Sequence, residues 1–448
     1  MNLQNFSEKI SKKEISIPEH TRSILKEVKM LNERYSYFLN ISEDLALDQA
    51  KNAKGKLAGL PISVKDCLCV KGVESTSGSR VLKSYKPLFT ATSVQRLVNE
   101  GAIIIGKTNQ DEFGFGSFNI NVGLGNPIPK NPFDEERVTG GSSGGGAGFA
   151  QKTTHAHIAV VESTGGSIVA PASFCGVYGL CPTYGAVSRY GLMDYANSLD
   201  KIGLIGKDCA SLKKVFDVMK GHDPKDCTSI SFDESSSEIK KVGLIKESLN
   251  VDPLVKEMFL RKLESLGYEV KEVSMPLTMK HGIGVYYIIA MAEASTNLAK
   301  YCGIRYGLQE ELDDNFNAYF SRVRDDGFGK EAKRRILIGT FVRMAGYRDQ
   351  YYLKAMKVRT LIIDEYKRLF KKFDVLVSPT MPLLPPKFSE VESLTPLQNY
   401  MIDQLTVGPN LAGLPHLNIP AGFVKNLPVG LLAIADHFNE AKLFNFDR

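Results

Sequence analysis

A chain of 448 residues with 43% hydrophobic residues has enough apolar material for one large or two ordinary packed domains, which excludes a disordered or low-complexity protein. No stretch approaches the roughly 18 uninterrupted apolar residues of a membrane helix, and the start MNLQNFSEKISKK lacks the apolar centre of a secretory leader, so a cytoplasmic protein is expected. The net charge of +6 is a mild bias, compatible with a nucleic-acid-handling complex without defining one, and seven cysteines without paired CxxC spacing point to neither a zinc site nor a disulfide framework.

Residues 20–55 are expected to be helical. Ile24, Val28 and Leu31 fall at helical spacing, and a second helix starts at Ser42 with Glu43 and Asp44 in its first turn. LAGLPISVKDCLCVKG then has the pattern of an apolar strand carrying Lys65 as a lone charge. Free lysine titrates at about 10.4, so acting as a base near neutrality costs about 4 kcal/mol, which burial can supply. A helix over Thr92–Glu100 and a buried strand over Ala102–Gly106 follow. Gly101–Thr108, GAIIIGKT, satisfies the phosphate-loop expression GxxxxGK[ST], but its middle residues are strand-like and a helix precedes rather than follows them. Nucleotide binding is therefore rejected there. Asp111 and Glu112, in the next stretch, have helix capping as their plain structural role.

The densest feature is VTGGSSGGGAGFA, in which six of the nine residues from Gly140 to Gly148 are glycine, followed by ESTGGSIVAPASFCG. A flexible linker is disfavoured because a buried strand, Ile158–Val161, and a small apolar run flank it. A phosphate cradle lacks its closing Gly-Lys-Ser/Thr. The remaining role is a nucleophile site, with Ser167 on a tight turn and the amides of Thr164, Gly165 and Gly166 facing a developing oxyanion. The nearest histidines, His155 and His157, have no obvious carboxylate to orient them, so a Ser-His-Asp triad is unsupported and lysine is the candidate base.

Further along, SLKKVFDVMKGHDPKDCTS gives an amphipathic helix and a turn at His222–Lys225, where His222 and Asp223 are too few to make a metal site. A serine-rich connection over 228–241 leads into strand KVGLIK, helix 252–266 and strand YEVKEVSM, a more variable α/β lobe over 230–330. Tyr286–Lys300 is apolar nearly all round and so reads as a buried helix. KVRTLIIDEYKRLFKKFD is expected to bury Leu361, Ile362 and Phe370 and to turn its basic face to solvent rather than to RNA. DVLVSPTMP, LNIPAG and VGLLAIAD are closing strands.

Lys65 in GLPISVKD, GGSSGG at 140–145 and TGGSIVAPASFCGVYGLCPTYGAVSRYGL together resemble the amidase signature family, which uses a Ser-cisSer-Lys triad. The resemblance implies an α/β fold, a mixed twisted sheet flanked by helices on both faces, as a single domain over 1–448 with a shortened terminal helix. It implies Ser167 as the acylated nucleophile, Ser142 as the bridging serine after a cis peptide bond, with Ser143 as the alternative, and Lys65 as the base. Where the family has aspartate and arginine around the nucleophile, this chain has Ser163 and Val169. Losing both members of an opposite-charge pair strands no charge, and Glu162 is a partial substitute.

GKTNQDEFGFGSFN, NPIPKNPFDEERVTGGSSGG and Gly-His-Asp-Pro-Lys-Asp are similar to one branch of that family, the glutaminase (A) subunits of aspartyl/glutamyl-tRNA amidotransferases. By that resemblance Arg335 holds the glutamine α-carboxylate, as its planar fork suits, Asp403 holds the α-amino group, and Tyr286 lines the pocket. No cofactor is expected on this chain. ATP and Mg2+ belong to a partner, the B and C subunits complete a heterotrimer, and misacylated tRNA, Asp-tRNA(Asn) or Glu-tRNA(Gln), is met mainly through the B subunit. The alternatives are a stand-alone amidase on a small amide and a structural subunit with weakened catalysis, the latter motivated by Ser163 and Val169.

Overall fold

In the computed structural model, which describes residues 1–233, 238–312 and 315–447, one mixed sheet takes up every strand among the described residues. The strands are β1 (Phe38–Ile41), β2 (Pro61–Lys65), β3 (Ile103–Thr108), β4 (Ile158–Ser163), β5 (Tyr178–Cys181), β6 (Lys201–Gly206), β7 (Val242–Ile245), β8 (Val270–Val273), β9 (Val375–Pro379), β10 (His416–Val424) and β11 (Leu427–Ala435). They lie side by side in the order β1-β3-β2-β4-β6-β5-β10-β11-β9-β7-β8. β2 runs parallel to both β3 and β4, and all three are buried throughout, which is why they read as continuous apolar runs rather than alternating ones. The register sets Lys65 opposite Thr108 and Val64 opposite Val160. Lys65 thus emerges at the carboxyl end of adjacent parallel strands, the end where open α/β sheets take ligands.

The N-terminal segment differs from the all-helical expectation. The helix Ile17–Tyr35, capped by Ser16 and started with Pro18, ends where Ser36 turns left-handed at φ 59°, and Phe38–Ile41 then becomes an edge strand on β3. A further helix, Leu3–Ser11, precedes it. The expected lobe over 230–330 is continuous with the main sheet, because β7 pairs in parallel with both β8 and β9 and forms the far edge with them. Of the serine-rich connection, 234–237 lies outside the described residues. The apolar helix starts at Pro276 and runs to Asn297. On the basic helix Lys354–Phe370 the buried side chains include Ile362 and Tyr366, whereas Leu361 is 54% exposed. Adjacent helical positions diverge by about 100°, so two neighbouring apolar residues cannot share one narrow stripe.

The two glycine-bearing motifs resolve differently from their sequence patterns. GAIIIGKT is β3 with its preceding turn, and Lys107 is fully buried, 3.4 Å from the Asp66 carboxylate and donating to the Leu68 carbonyl (2.6 Å) and Ser75 Oγ (2.7 Å). The long glycine run is neither a linker nor an open loop beyond Ser143, since Gly144–Lys152 is a buried helix. A Cβ at Gly148 would run into the Tyr37 ring, so glycine there lets the helix lie against its neighbour.

Candidate active site

Lys65 is fully buried, yet it is not the lone charge its sequence context suggested. Its Nζ lies 2.8 Å from Ser142 Oγ, 2.9 Å from the Glu162 carbonyl oxygen and 2.9 Å from Glu162 Oε2. The peptide bond between Gly141 and Ser142 is cis. Ser143 turns the other way and donates to the Glu162 carbonyl at 3.2 Å, so of the two serines left open by the sequence, Ser142 is the one on the lysine.

Ser167 sits just past β4, on the turn before the short helix Val169–Phe174, with 7% of its surface exposed. Its hydroxyl has no hydrogen-bond partner among the described residues, and the amides of Gly165, Gly166 and Ser167 donate to no backbone carbonyl there. A free hydroxyl beside free amides is the local arrangement an acyl-transfer site requires. A Cβ at Gly165 would strike the Tyr286 ring, and one at Gly166 would strike Thr406, so the turn is pressed between the helix Pro276–Asn297 and the 402–411 segment. Thr164 contributes its hydroxyl, 2.7 Å from Glu162 Oε1 and 2.8 Å from Asp200 Oδ1.

Arg335 and Asp403, distant in sequence, meet around one set of aromatic rings. Arg335 is 2% exposed, paired with Glu331 at 2.9 Å and donating to Tyr195 Oη at 2.6 Å; its guanidinium lies over the rings of Phe115, Tyr195, Tyr287 and Tyr400 at 5.0–5.6 Å. Asp403 Oδ2 accepts from Tyr287 Oη and Ser117 Oγ, both at 2.7 Å. Burial pushes the Asp403 carboxyl upward, against the pull of those two hydroxyls and of Arg335. A cavity of about 420 Å³ opens here, lined among others by Ser117, Glu331, Arg335 and Tyr400. It is joined to the Lys65 centre through one loop: Gly141 donates to the Ser117 carbonyl at 2.8 Å, and Phe115 packs on Tyr195 with ring centroids 4.7 Å apart. Tyr286 itself packs on Gly165 and does not touch Asp403; its neighbour Tyr287 makes that bond.

Asp111 and Glu112 do not cap a long helix. Both are buried and hold loops: Asp111 accepts the Asn119 and Asn121 amides at 3.0 and 2.8 Å, and Glu112 accepts Ser79 Oγ at 2.5 Å and the Gly329 amide at 3.0 Å. Burial raises Asp111 to about 6 and Glu112 to about 7. His157 is pushed down to about 3 by burial and bonds Ser63 Oγ at 2.9 Å, while His155 does lie 3.9 Å from a carboxylate, Glu27, though neither ring reaches Ser142 or Ser167. Among the described residues no group of three or more His, Cys, Asp or Glu is placed to hold a metal ion.

Tyr287, Ser117, Glu331, Tyr195 and Tyr400 are not singled out by the sequence. Tyr287 was detectable as the second member of a Tyr-Tyr pair on a buried helix, where two hydroxyls need partners; the others carry no local signal.

A buried amine bonded to a loop serine, with a second serine on a glycine turn, supplies the groups that an amide-cleaving serine hydrolase with a lysine base would use. The chain belongs to the amidase family: the family described as Amidase matches residues 19–444. It is 46% identical over 425 residues to the A subunit of the glutamyl-tRNA(Gln) amidotransferase of Archaeoglobus fulgidus, covering 93% of this chain and 92% of that protein. The corresponding A subunit of Halothermothrix orenii is 42% identical over 459 residues, covering 99% and 95%. The crystal structure of the Thermotoga maritima glutamyl-tRNA(Gln) amidotransferase A subunit superimposes with a TM-score of 0.79 at 34% identity, covering 97% of this chain and 90% of that one. A 6-aminohexanoate cyclic dimer hydrolase shares the fold at a TM-score of 0.86 and 20% identity, covering 100% and 95%.

Proposed function

We propose that this chain is the glutamine-hydrolysing subunit of a tRNA-dependent amidotransferase. Support comes from its relatives, which bear that subunit's name at 42–46% identity over nearly their whole length. The single geometric observation that carries the mechanism is the 2.8 Å contact between Lys65 Nζ and Ser142 Oγ. In this mechanism Lys65, as the free amine, draws the Ser142 proton while Ser142 takes the proton of Ser167. Ser167 Oγ attacks the side-chain amide carbon of glutamine, and the amides of the 164–167 turn receive the negative charge that forms on the carbonyl oxygen. Ser142 and Lys65 return the proton to the departing nitrogen. Ammonia leaves, and water cleaves the acyl-serine by the same relay run again, releasing glutamate. Arg335 and Asp403 hold the α-carboxylate and α-amino group, with Tyr286 in the wall, so the amide end lies toward Ser167.

The ammonia would serve Glu-tRNA(Gln), Asp-tRNA(Asn) or both on a partner B subunit that uses ATP and Mg2+, with a C subunit joining the two in the cytoplasm. We read residues 1–448 as one catalytic unit on its continuous sheet. The experiment is a comparison of amides: the purified chain with its partners is offered glutamine and, separately, a small amide lacking the amino-acid headgroup. Turnover of glutamine with the headgroup-free amide left intact is the expected result. Equal turnover of both, by the isolated chain, would replace this function with that of a stand-alone amidase.

A further inference from the structure

The triad proposed above has an unused acidic group against its base. That group is Glu162, near the end of β4. It forms an ion pair with Lys65, Nζ to Oε2 at 2.9 Å, with side-chain exposures of 0% and 4%. With Ser142 Oγ and the Glu162 carbonyl it gives the nitrogen three oxygen contacts at 2.8–2.9 Å.

One hydroxyl bridges Glu162 to a second buried carboxyl, since Thr164 Oγ1 lies 2.7 Å from Glu162 Oε1 and 2.8 Å from Asp200 Oδ1. Asp200 also accepts the Tyr195 amide at 2.8 Å and the Ala196 amide at 2.9 Å. Burial, and next the charge of Glu162, push Asp200 well above the carboxylate range. Asp200 is thus one titratable neighbour of Lys65 and Glu162. The other titratable groups facing them are the Cys67 and Cys181 thiols, both pushed up by burial, and Asp111. The nearest further cations are engaged elsewhere, Lys107 with Asp66 and Lys201 with the Leu414 carbonyl at 2.9 Å.

We propose that Glu162 is a positioning residue for the triad's base: its carboxylate pins Lys65 against Ser142 and favours the ammonium, and so sets the pH above which the relay becomes competent. This inference rests on the Lys65–Ser142–Ser167 assignment but not on glutamine as the substrate, and its test is chosen accordingly. The rate at which a fluorophosphonate labels Ser167, read by peptide mass spectrometry, is followed against pH in the assembled protein for wild type, Glu162→Gln, Glu162→Asp and Asp111→Asn. Glu162→Gln is expected to move the acidic limb of the labelling profile to lower pH by about one unit or more, a tenfold change in proton concentration. Glu162→Asp, which keeps the charge one methylene further back, is expected to fall between wild type and Glu162→Gln, and it supplies the comparison if the amide variant does not fold. Asp111→Asn, with Asp200→Asn measured beside it, separates out the other buried carboxyls nearby. An acidic limb unmoved in both Glu162 variants, or moved only by Asp111→Asn or Asp200→Asn, overturns the proposal. So does a wild type whose Ser167 is not labelled at any pH, since the relay itself then fails. A shifted labelling limb in a protein that leaves glutamine intact keeps the role of Glu162 and removes only the substrate.

Discussion

Two lysines lie on neighbouring strands of this sheet, both fully buried, both facing a carboxylate, and the proposed mechanism gives them different work. Lys107 on β3 is surrounded by fixed acceptors, the Asp66 and Leu68 carbonyls, Ser75 Oγ and the Asp66 carboxylate. Every one of those is a structural group, and Asp66 in turn accepts the Thr76 and Gly78 amides. Lys65 on β2 gives one of its bonds to Ser142 in the glycine loop, which the proposed mechanism connects to Ser167. Burial and an ion pair are common to both, so neither marks a catalytic base. In the proposed mechanism the difference is the hydroxyl partner, which for Lys65 leads on to Ser167.

The sharpest way to break this comparison is to remove each amine. Lys65→Met is expected to lower glutamine hydrolysis by about 10³-fold or more, because the nucleophile loses its proton acceptor, on top of the stability cost that a stranded carboxylate brings to either substitution. Lys107→Met is expected to act on stability, costing about 3–5 kcal/mol by leaving Asp66 buried without its cation. Denaturant unfolding and steady-state kinetics separate the two outcomes. If Lys107→Met abolished activity in a protein of unchanged stability, the division between the lysines would be wrong.

Next in size is the headgroup pocket. Arg335→Lys retains the charge but loses the planar fork, and replacing that grip is expected to raise KM for glutamine by about ten- to a hundredfold, or roughly 1.5–3 kcal/mol, with a smaller effect on kcat. A kcat loss at constant KM would instead place Arg335 with the reacting atoms. Asp403→Asn keeps the bonds to Tyr287 and Ser117 possible but removes the charge, and the same KM effect is expected from it.

A separate expected effect is a pH dependence of stability that does not involve the relay residues. Burial raises Glu112 to about 7 in the folded chain, against a usual value of 4.5. The folded state therefore binds the extra proton between those values, and the contribution of this group to stability is fully present below about pH 4.5 and is lost as pH rises through about 7. Glu112→Gln is expected to flatten that part of the unfolding free energy against pH. A slope identical to wild type would show that Glu112 does not titrate there.

The parts of this molecule legible in its sequence are those where chemistry is local. β2 and β4 are largely apolar runs, each carrying one charge near its end, Lys65 and Glu162, and the Ser142 and Ser167 loops carry their own motifs. Long-range pairing was not legible. Phe38–Ile41 is too short to declare itself a strand until β3 offers an edge, and β7 and β8 look like a separate lobe until β9, over a hundred residues later, joins them to the sheet. The glycines of 144–148 mislead for the same reason, because what they accommodate is Tyr37, far away in the chain. In the sequence Glu162 stands out only as a substitute for a missing aspartate. Its bond to Lys65 joins the ends of β2 and β4, which only the tertiary pairing of those strands makes neighbours.

The central claim is that Ser167, driven by Lys65 through Ser142, releases ammonia from glutamine. It is tested most directly in the assembled complex by measuring amidation with glutamine and with ammonium chloride as alternative nitrogen donors, in wild type and Ser167→Ala. The account predicts that Ser167→Ala loses glutamine-dependent amidation and glutamate release while ammonia-dependent amidation persists. Glutamine-dependent amidation at the wild-type rate in Ser167→Ala would contradict it.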